Sequence, residues 1–268
     1  MEIFLYTIIF IIGTLFGSFY TLAVHRIPKR QDITHTHSYC PNCNHKLGFF
    51  ELIPVFSYIL LGAKCKHCKK KIRPRYFLLE ISSGVLFVLF TYILEIDLLN
   101  INYASIILFA FSCLYLTFLF LTIGIDKENR KIEKPVLAYG IVISLMYIIY
   151  LYILGNINIY RYVMYLTLFI IWLLLDSITL RKYAKNSYVN GIICMLIIMF
   201  IFTGNIVNFI TCVMTLLAIA IYLLAYKIKN LKNKNKKTDK QVSRNISIGF
   251  ILGITNLISF ITILMLNN

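Results

Sequence analysis

The chain has 268 residues, 59% of them hydrophobic, and a mean hydropathy of +0.78. A water-soluble globule cannot hide that much apolar side chain, which excludes a soluble domain and points to a lipid-embedded one. The net charge of +16 sits between apolar runs, with no aromatic-basic groove pattern beside it, which excludes nucleic-acid binding.

Eight apolar runs match, or nearly match, a hydrocarbon core of roughly 30 Å: 3–24, 77–96, 102–124, 136–154, 162–180, 189–203, 206–226 and 246–266. The first starts with Met1-Glu2-Ile3 and so lacks the basic flank of a signal peptide. No small-residue cleavage site precedes Arg26, and the run reads as a retained span. The sixth run is short, and 189–226 reads either as two spans or as one broken, re-entrant hairpin.

The loop 25–76 carries Cys40-Pro-Asn-Cys43 and Cys65-Lys-His-Cys68. A two-residue gap lets the backbone turn until both sulfurs face one ion, and two such pairs complete a tetrahedral site suited to zinc. The alternative is a pair of redox or structural dithiols without metal. With four protein ligands the site is closed and structural, leaving no position for a catalytic water. All five histidines (His25, His35, His37, His45, His67) fall in the same loop. His67 is expected to be a neighbour of the metal rather than a ligand. Cys113, Cys194 and Cys212 lie in apolar runs and read as packing residues.

Carboxylates are scarce, and those at membrane depth default to a functional reading. Glu80 lies near the start of the second run, Asp126 directly follows the third, and Asp176 precedes Arg181 at the end of the fifth. At one level, two of them would share a proton and supply the acid and base that activate water against a peptide bond. The plainer alternative is that Asp126 caps a helix end while Asp176 pairs with Arg181 or Lys182.

Charge gives the topology. With the N-terminus outside, the alternate loops 25–76, 125–134, 181–185 and 227–244 hold 11, 4, 3 and 8 of the Lys and Arg residues, and only Arg161 falls on the other side. That is the positive-inside pattern, with attraction to anionic lipid as its by-product. The cysteine loop is thereby cytoplasmic, where reducing conditions favour metal over disulfide. The Lys/Asn-rich stretch 227–241 reads as a solvated anchor of the same kind.

These residues together resemble the type IV prepilin peptidases, a family of membrane aspartyl proteases. The resemblance runs through Gly17-Ser18-Phe19, His25-Arg26-Ile27-Pro28, the first cysteine pair, and Glu51-Leu-Ile-Pro54-Val55-Phe-Ser57-Tyr58. It continues with the second pair, Ile72, Arg75-Tyr76 and Glu80. Ile125-Asp126-Lys-Glu128 looks like the first catalytic aspartate segment, and Ile246-Ser-Ile-Gly249-Phe-Ile-Leu252 like a degraded PFGPFL motif. The resemblance implies an endopeptidase that cuts the basic leader from prepilin or pseudopilin precursors at the cytoplasmic face of the bacterial inner membrane. It also implies N-methylation of the new terminus with S-adenosylmethionine.

The sequence departs from that pattern where a second aspartate is expected in Gly-x-Gly-Asp. Here Lys185-Asn-Ser-Tyr188-Val-Asn190-Gly191 carries no acid, and Tyr188 or Asn190 takes the position. Neither shares a proton as a carboxylate does. Glu133-Lys134 replaces the expected Pro-Asp, and Thr21 stands for the usual Asn.

The expected fold is all-α and polytopic, with about eight transmembrane helices and a small cytoplasmic zinc-ribbon-like insertion. Its parts are 1–24, the four-cysteine loop 25–76, and a peptidase-like domain 77–268 with the basic loop 227–244. Asp126 and Asp176 are the expected catalytic pair, and Cys40, Cys43, Cys65 and Cys68 hold the zinc. Prepilins and membrane lipid are the expected partners. Glu51 and Glu80 are expected to position the basic leader, or else to pair with nearby Lys or Arg. The alternative function is a catalytically impaired homologue that acts as an assembly factor or as a methyltransferase only.

Overall fold

The computed structural model describes residues 2–96, 102–155, 162, 164, 165, 167, 171, 187–233 and 246–267. These fall into two compact units, 1–117 and 118–268. Among the described residues six helices are long and apolar enough to cross a membrane. The protein is thus an all-α polytopic membrane protein, as its composition requires.

In the first unit α1 (Glu2–Arg26) leads into the cysteine loop, which contains the short helix α2 (Phe56–Leu60). The chain then returns as α3 (Pro74–Ile93), and α4 (Tyr103–Asn129) begins in this unit. Pro74 at the first turn of α3, with Arg73 extended before it, sets that helix start slightly ahead of the apolar run. Helices α1 and α3 meet through backbone. A Cβ on Gly13 would lie 2.8 Å from Gly84 Cα, and one on Gly17 would lie 2.6 Å from Glu80 Cα. Glycines four apart on one helix face permit this close approach, and the gain is dispersion contact rather than hydrophobic transfer. Outward-facing Ile11, Leu15, Tyr92 and Val85 stay exposed, which is unfavourable in water and expected against lipid.

In the second unit α4 ends, and α5 (Lys134–Ile153), α6 (Ser187–Asn233) and α7 (Ile248–Asn267) follow. Their shared core includes Phe118, Ile125, Ile143, Met195, Ile198, Met199 and Leu252. Helix α6 breaks at Gly204, whose φ of 77° and ψ of −176° no other residue adopts at low cost. Partners on α7 record what the break does. Tyr188 meets Ile248 and Gly249, and Met195 borders Gly253. Beyond Gly204, however, Asn208 and Thr211 meet Asn256, and Thr215 meets Thr255. In a straight helix Asn208 would lie about 30 Å from Tyr188, yet Asn256 lies only about 12 Å along α7 from Ile248. The chain folds back at Gly204. The two halves correspond to the expected runs 189–203 and 206–226, joined as a helical hairpin. The run 162–180 lies mostly outside the described residues.

Candidate functional site

Each cysteine pair folds into the same turn. Asn44 N–H donates to Cys40 C=O at 2.9 Å and Lys69 N–H to Cys65 C=O at 3.0 Å, while Cys40 and Cys65 N–H donate back to His45 and Lys70. Asn44 and Lys69 take left-handed backbone angles, φ 54° and 59°, that close the two turns. One bridge flanks each, Tyr39 with Lys46 and Lys64 with Lys71. The four sulfurs of Cys40, Cys43, Cys65 and Cys68 lie within 4.8 Å of one another, with Cys40 and Cys68 at 3.9 Å. Sulfurs held at about 2.3 Å from a tetrahedral zinc stand roughly 3.8 Å apart, so the donor set fits that ion.

Charge in this cluster also argues for a cation. Backbone N–H groups of Cys68 and His67 hold the Cys65 thiol down at about 7. Cys43 has the His45 N–H pulling it down, but desolvation and the sulfurs of Cys40, Cys68 and Cys65 push it up to about 11. Four thiolates cannot gather without a counter-charge, and a divalent cation supplies one. His67 stacks on His45 at 4.8 Å and stands beside the cluster.

A cavity of about 450 Å³ opens beside this module, between α1, α3 and the segment 51–61. Glu51 and Glu80 line it, with Tyr58, Tyr76 and Phe77. Glu80 Oε2 accepts the Val55 N–H at 2.8 Å, and Glu51 Oε2 accepts the Gly48 N–H at 2.8 Å. Glu51 Oε1 is buried without a donor among the described residues, while His45 Nε2 lies 3.8 Å from Oε2.

In the second unit Asp126 is completely buried in the last turns of α4. Its Oδ2 accepts the Phe250 N–H at 2.8 Å, and Lys127 lies 4.5 Å from the Phe250 ring centre. The Tyr188 hydroxyl accepts the Ile248 and Gly249 N–H groups at 2.9 and 3.3 Å and lies beside the carboxylate. Asp126 and Tyr188 thus satisfy the first free N–H groups of α7, at the helix end whose dipole favours an anion. Asp126 does cap a helix, and the helix it caps is α7. Its other oxygen, Oδ1, is buried with no hydrogen-bond partner among the described residues. A Cβ on Gly249 would come within 3.1 Å of Oδ2, so that glycine makes room for the carboxylate.

Asp176 lies outside the described residues. Tyr188, read from sequence only as a residue standing where an acid is expected, is the side chain that adjoins Asp126. Its position in the degraded motif was the available signal, but nothing in the sequence says that a phenol there binds a helix terminus.

Residues 11–94 match the Bacterial Peptidase A24 N-terminal domain. Part of the chain is also similar to curated relatives named prepilin leader peptidase/N-methyltransferase. The Vibrio cholerae protein is 34% identical over 92 residues, 31% of this chain and 36% of that protein. The Myxococcus xanthus protein is 39% identical over 79 residues, 30% of this chain and 24% of that protein. The Bacillus subtilis protein is 40% identical over 81 residues, 30% and 33% of the two lengths. The alignments therefore span about a quarter to a third of these relatives. No solved structure matches.

Proposed function

We propose, on the premise that residues 11–94 place this chain in the type IV prepilin peptidase family, that it processes prepilin-like precursors at the bacterial inner membrane. The cysteine loop faces the cytoplasm in this reading, and a structural zinc on Cys40, Cys43, Cys65 and Cys68 shapes it. Leader removal is assigned to aspartyl chemistry at Asp126, followed by methylation of the new N-terminus. The observation that carries the peptidase part is the buried Asp126 carboxylate, with Oδ2 engaged and Oδ1 left without a donor among the described residues. Such an oxygen takes the proton of an attacking water as general base, and a second acid protonates the leaving amine. Asp176 is the proposed second acid.

S-adenosylmethionine would supply an electrophilic methyl group to the amine once bound. The orphaned Oε1 of Glu51 beside a 450 Å³ cavity fits a cationic ligand of this kind.

A second reading is favoured by Tyr188. With a phenol rather than a carboxylate at Asp126, the chain would retain precursor binding, or methylation, without cleavage. One assay separates the two. Full-length protein in lipid is given a prepilin with a cleavable leader, beside Asp126→Ala and Asp176→Ala variants. The peptidase reading expects cleavage by wild type and loss in both variants. Inert wild type replaces it with the second reading, and normal cleavage by Asp176→Ala removes Asp176 from the mechanism.

A further inference from the structure

We propose that segment 49–61 of the cysteine loop does not stand in water but lies in the bilayer surface, with its outer face against lipid acyl chains. This placement needs only that α1 and α3 cross the membrane, and it holds whatever the chain catalyses.

Depth comes first. Gly17 packs on Glu80 and Gly13 on Gly84, so α1 and α3 run antiparallel with their charged ends at one level, His25 and Arg26 with Arg73 and Arg75. Glu80 stands beyond Arg75 by roughly 8 Å at helical rise. The loop comes down to that depth. The Val55 N–H donates to Glu80 Oε2 at 2.8 Å, and Tyr58 stacks on Phe77 at 4.8 Å. Leu52, Pro54 and Leu61 share a cavity wall with Phe19 and Leu22 of α1. Left-handed residues turn the chain at both ends of α2, Val55 at φ 63° before it and Gly62 and Ala63 at 57° after it. An interfacial helix buries its apolar face about 5–10 Å into the boundary between headgroups and acyl chains, which is this depth.

Composition agrees. Loop 25–76 carries 11 Lys and Arg residues, yet none of them falls in 49–61. Glu51, the one charged residue there, is turned to the Gly48 N–H and to His45. Phe56, Ile59 and Leu60 fall on one face of α2 at i, i+3 and i+4, and they are 54%, 62% and 67% exposed. Phe49 and Phe50 are more exposed still. The other face of α2, Ser57 and Tyr58 with Leu61 after it, lines the cavity. The outer face adjoins the apolar surface that α1 and α3 present to lipid, where Phe19 and Leu78 are exposed. Depth and that continuity favour lipid as the occupant over a second protein. Lys46 and Lys64, exposed just outside the run, are placed to meet anionic headgroups.

The backbone is equipped for the same place. Lipid offers no partner to a bare N–H, and those of Glu51, Leu52, Val55, Ser57, Ile59 and Leu61 all have acceptors within the protein. Pro54 has no N–H to satisfy.

Tryptophan quenching tests this on the full-length protein in vesicles of phosphatidylcholine and phosphatidylglycerol. The chain has one tryptophan, so Trp172→Phe gives a silent background. Into it go Phe56→Trp, Ile59→Trp, Val85→Trp on the outer face of α3, and His35→Trp in the exposed start of the loop. Lipids brominated near the head of the acyl chain should quench Phe56→Trp and Ile59→Trp at least as strongly as Val85→Trp, and leave His35→Trp bright. Aqueous iodide should quench only His35→Trp. Iodide quenching of Phe56→Trp and Ile59→Trp to the level of His35→Trp overturns the placement. So does shielding of both from both quenchers, which assigns the face to protein, a second copy or another part of this chain. The wild-type chain gives a measurement free of misfolded variants. A lipid with a photoreactive diazirine on its acyl chain should leave adducts on 49–61 as well as on α1 and α3, and none on 29–47. Adducts on the helices alone overturn the placement.

Discussion

In the proposed peptidase, Asp126 divides its carboxylate between structure and chemistry. Oδ2 receives the Phe250 N–H at the start of α7, and Oδ1 is buried with no partner among the described residues. Asparagine keeps a carbonyl oxygen that accepts the same N–H but cannot take a proton from water. Asp126→Asn should therefore hold its melting temperature while prepilin cleavage falls on the order of 10²–10⁴-fold, the usual weight of a general acid–base group. Asp126→Ala should lose the cap as well, for a further cost of about 1–3 kcal/mol seen as a lower melting temperature in detergent. Equal melting of the two variants would remove the cap from the account. The phenol of Tyr188 shares this terminus, so the residue standing where an acid was expected serves the helix beside the acid.

At the scale of elements, the cysteine turns and the α1–α3 contact were legible to different degrees. Cys-x-x-Cys spacing alone specified a four-sulfur site, and the sulfurs do converge. The spacing did not say that Asn44 and Lys69 close the turns with left-handed backbone, because that angle is a property of the folded loop. Metal affinity of this module should rise with pH, since Cys65 near 7 is largely thiolate at mild alkalinity whereas Cys43 near 11 must still give up its proton to the metal. Each proton displaced makes affinity climb about tenfold per pH unit over roughly pH 7.5–10. A chelator competition series across that range measures it, and Cys40→Ser should carry no zinc by metal analysis at any pH. The pairing of α1 with α3 was less legible. Gly13 and Gly17 are visible in the sequence, but a small-residue face has meaning only once its partner is known. Here the partner backbone lies at Gly84 and Glu80. Gly17→Leu should push α1 off Glu80, costing about 1–3 kcal/mol of overpacking. A lower midpoint in a detergent unfolding titration reads that cost, and an unchanged midpoint would mean that the helices separate freely.

For the whole molecule, the apolar runs and the spacing of Lys and Arg between them are what a chain passing back and forth with its basic loops on one side would carry. The bounds of α3, α4 and α5 depart from the apolar runs by only a few residues, because Pro74 and Pro135 start helices and α4 continues past its apolar run to Asn129. The one ambiguity, whether 189–226 crosses twice, could not be resolved from hydropathy, since a kinked helix and a hairpin have the same composition. The order of contacts along α7 resolves the fold of this segment as a hairpin turning at Gly204. Its reach across the bilayer can be tested. If both halves span, the turn emerges on the face opposite the basic loops, and exposed Asn205 emerges with it. A thiol at Asn205→Cys should then react with a membrane-impermeant maleimide on intact cells. With the cysteine loop facing inward as proposed, the wild-type chain should react only after permeabilisation, because Cys113, Cys194 and Cys212 lie in apolar helices, without the aqueous thiolate the reagent needs. Labelling of wild type on intact cells would invert the whole topology. A silent Asn205→Cys would mean a hairpin that turns inside the membrane, with one basic loop fewer assigned by alternation and the positive-inside count thrown out of phase beyond it.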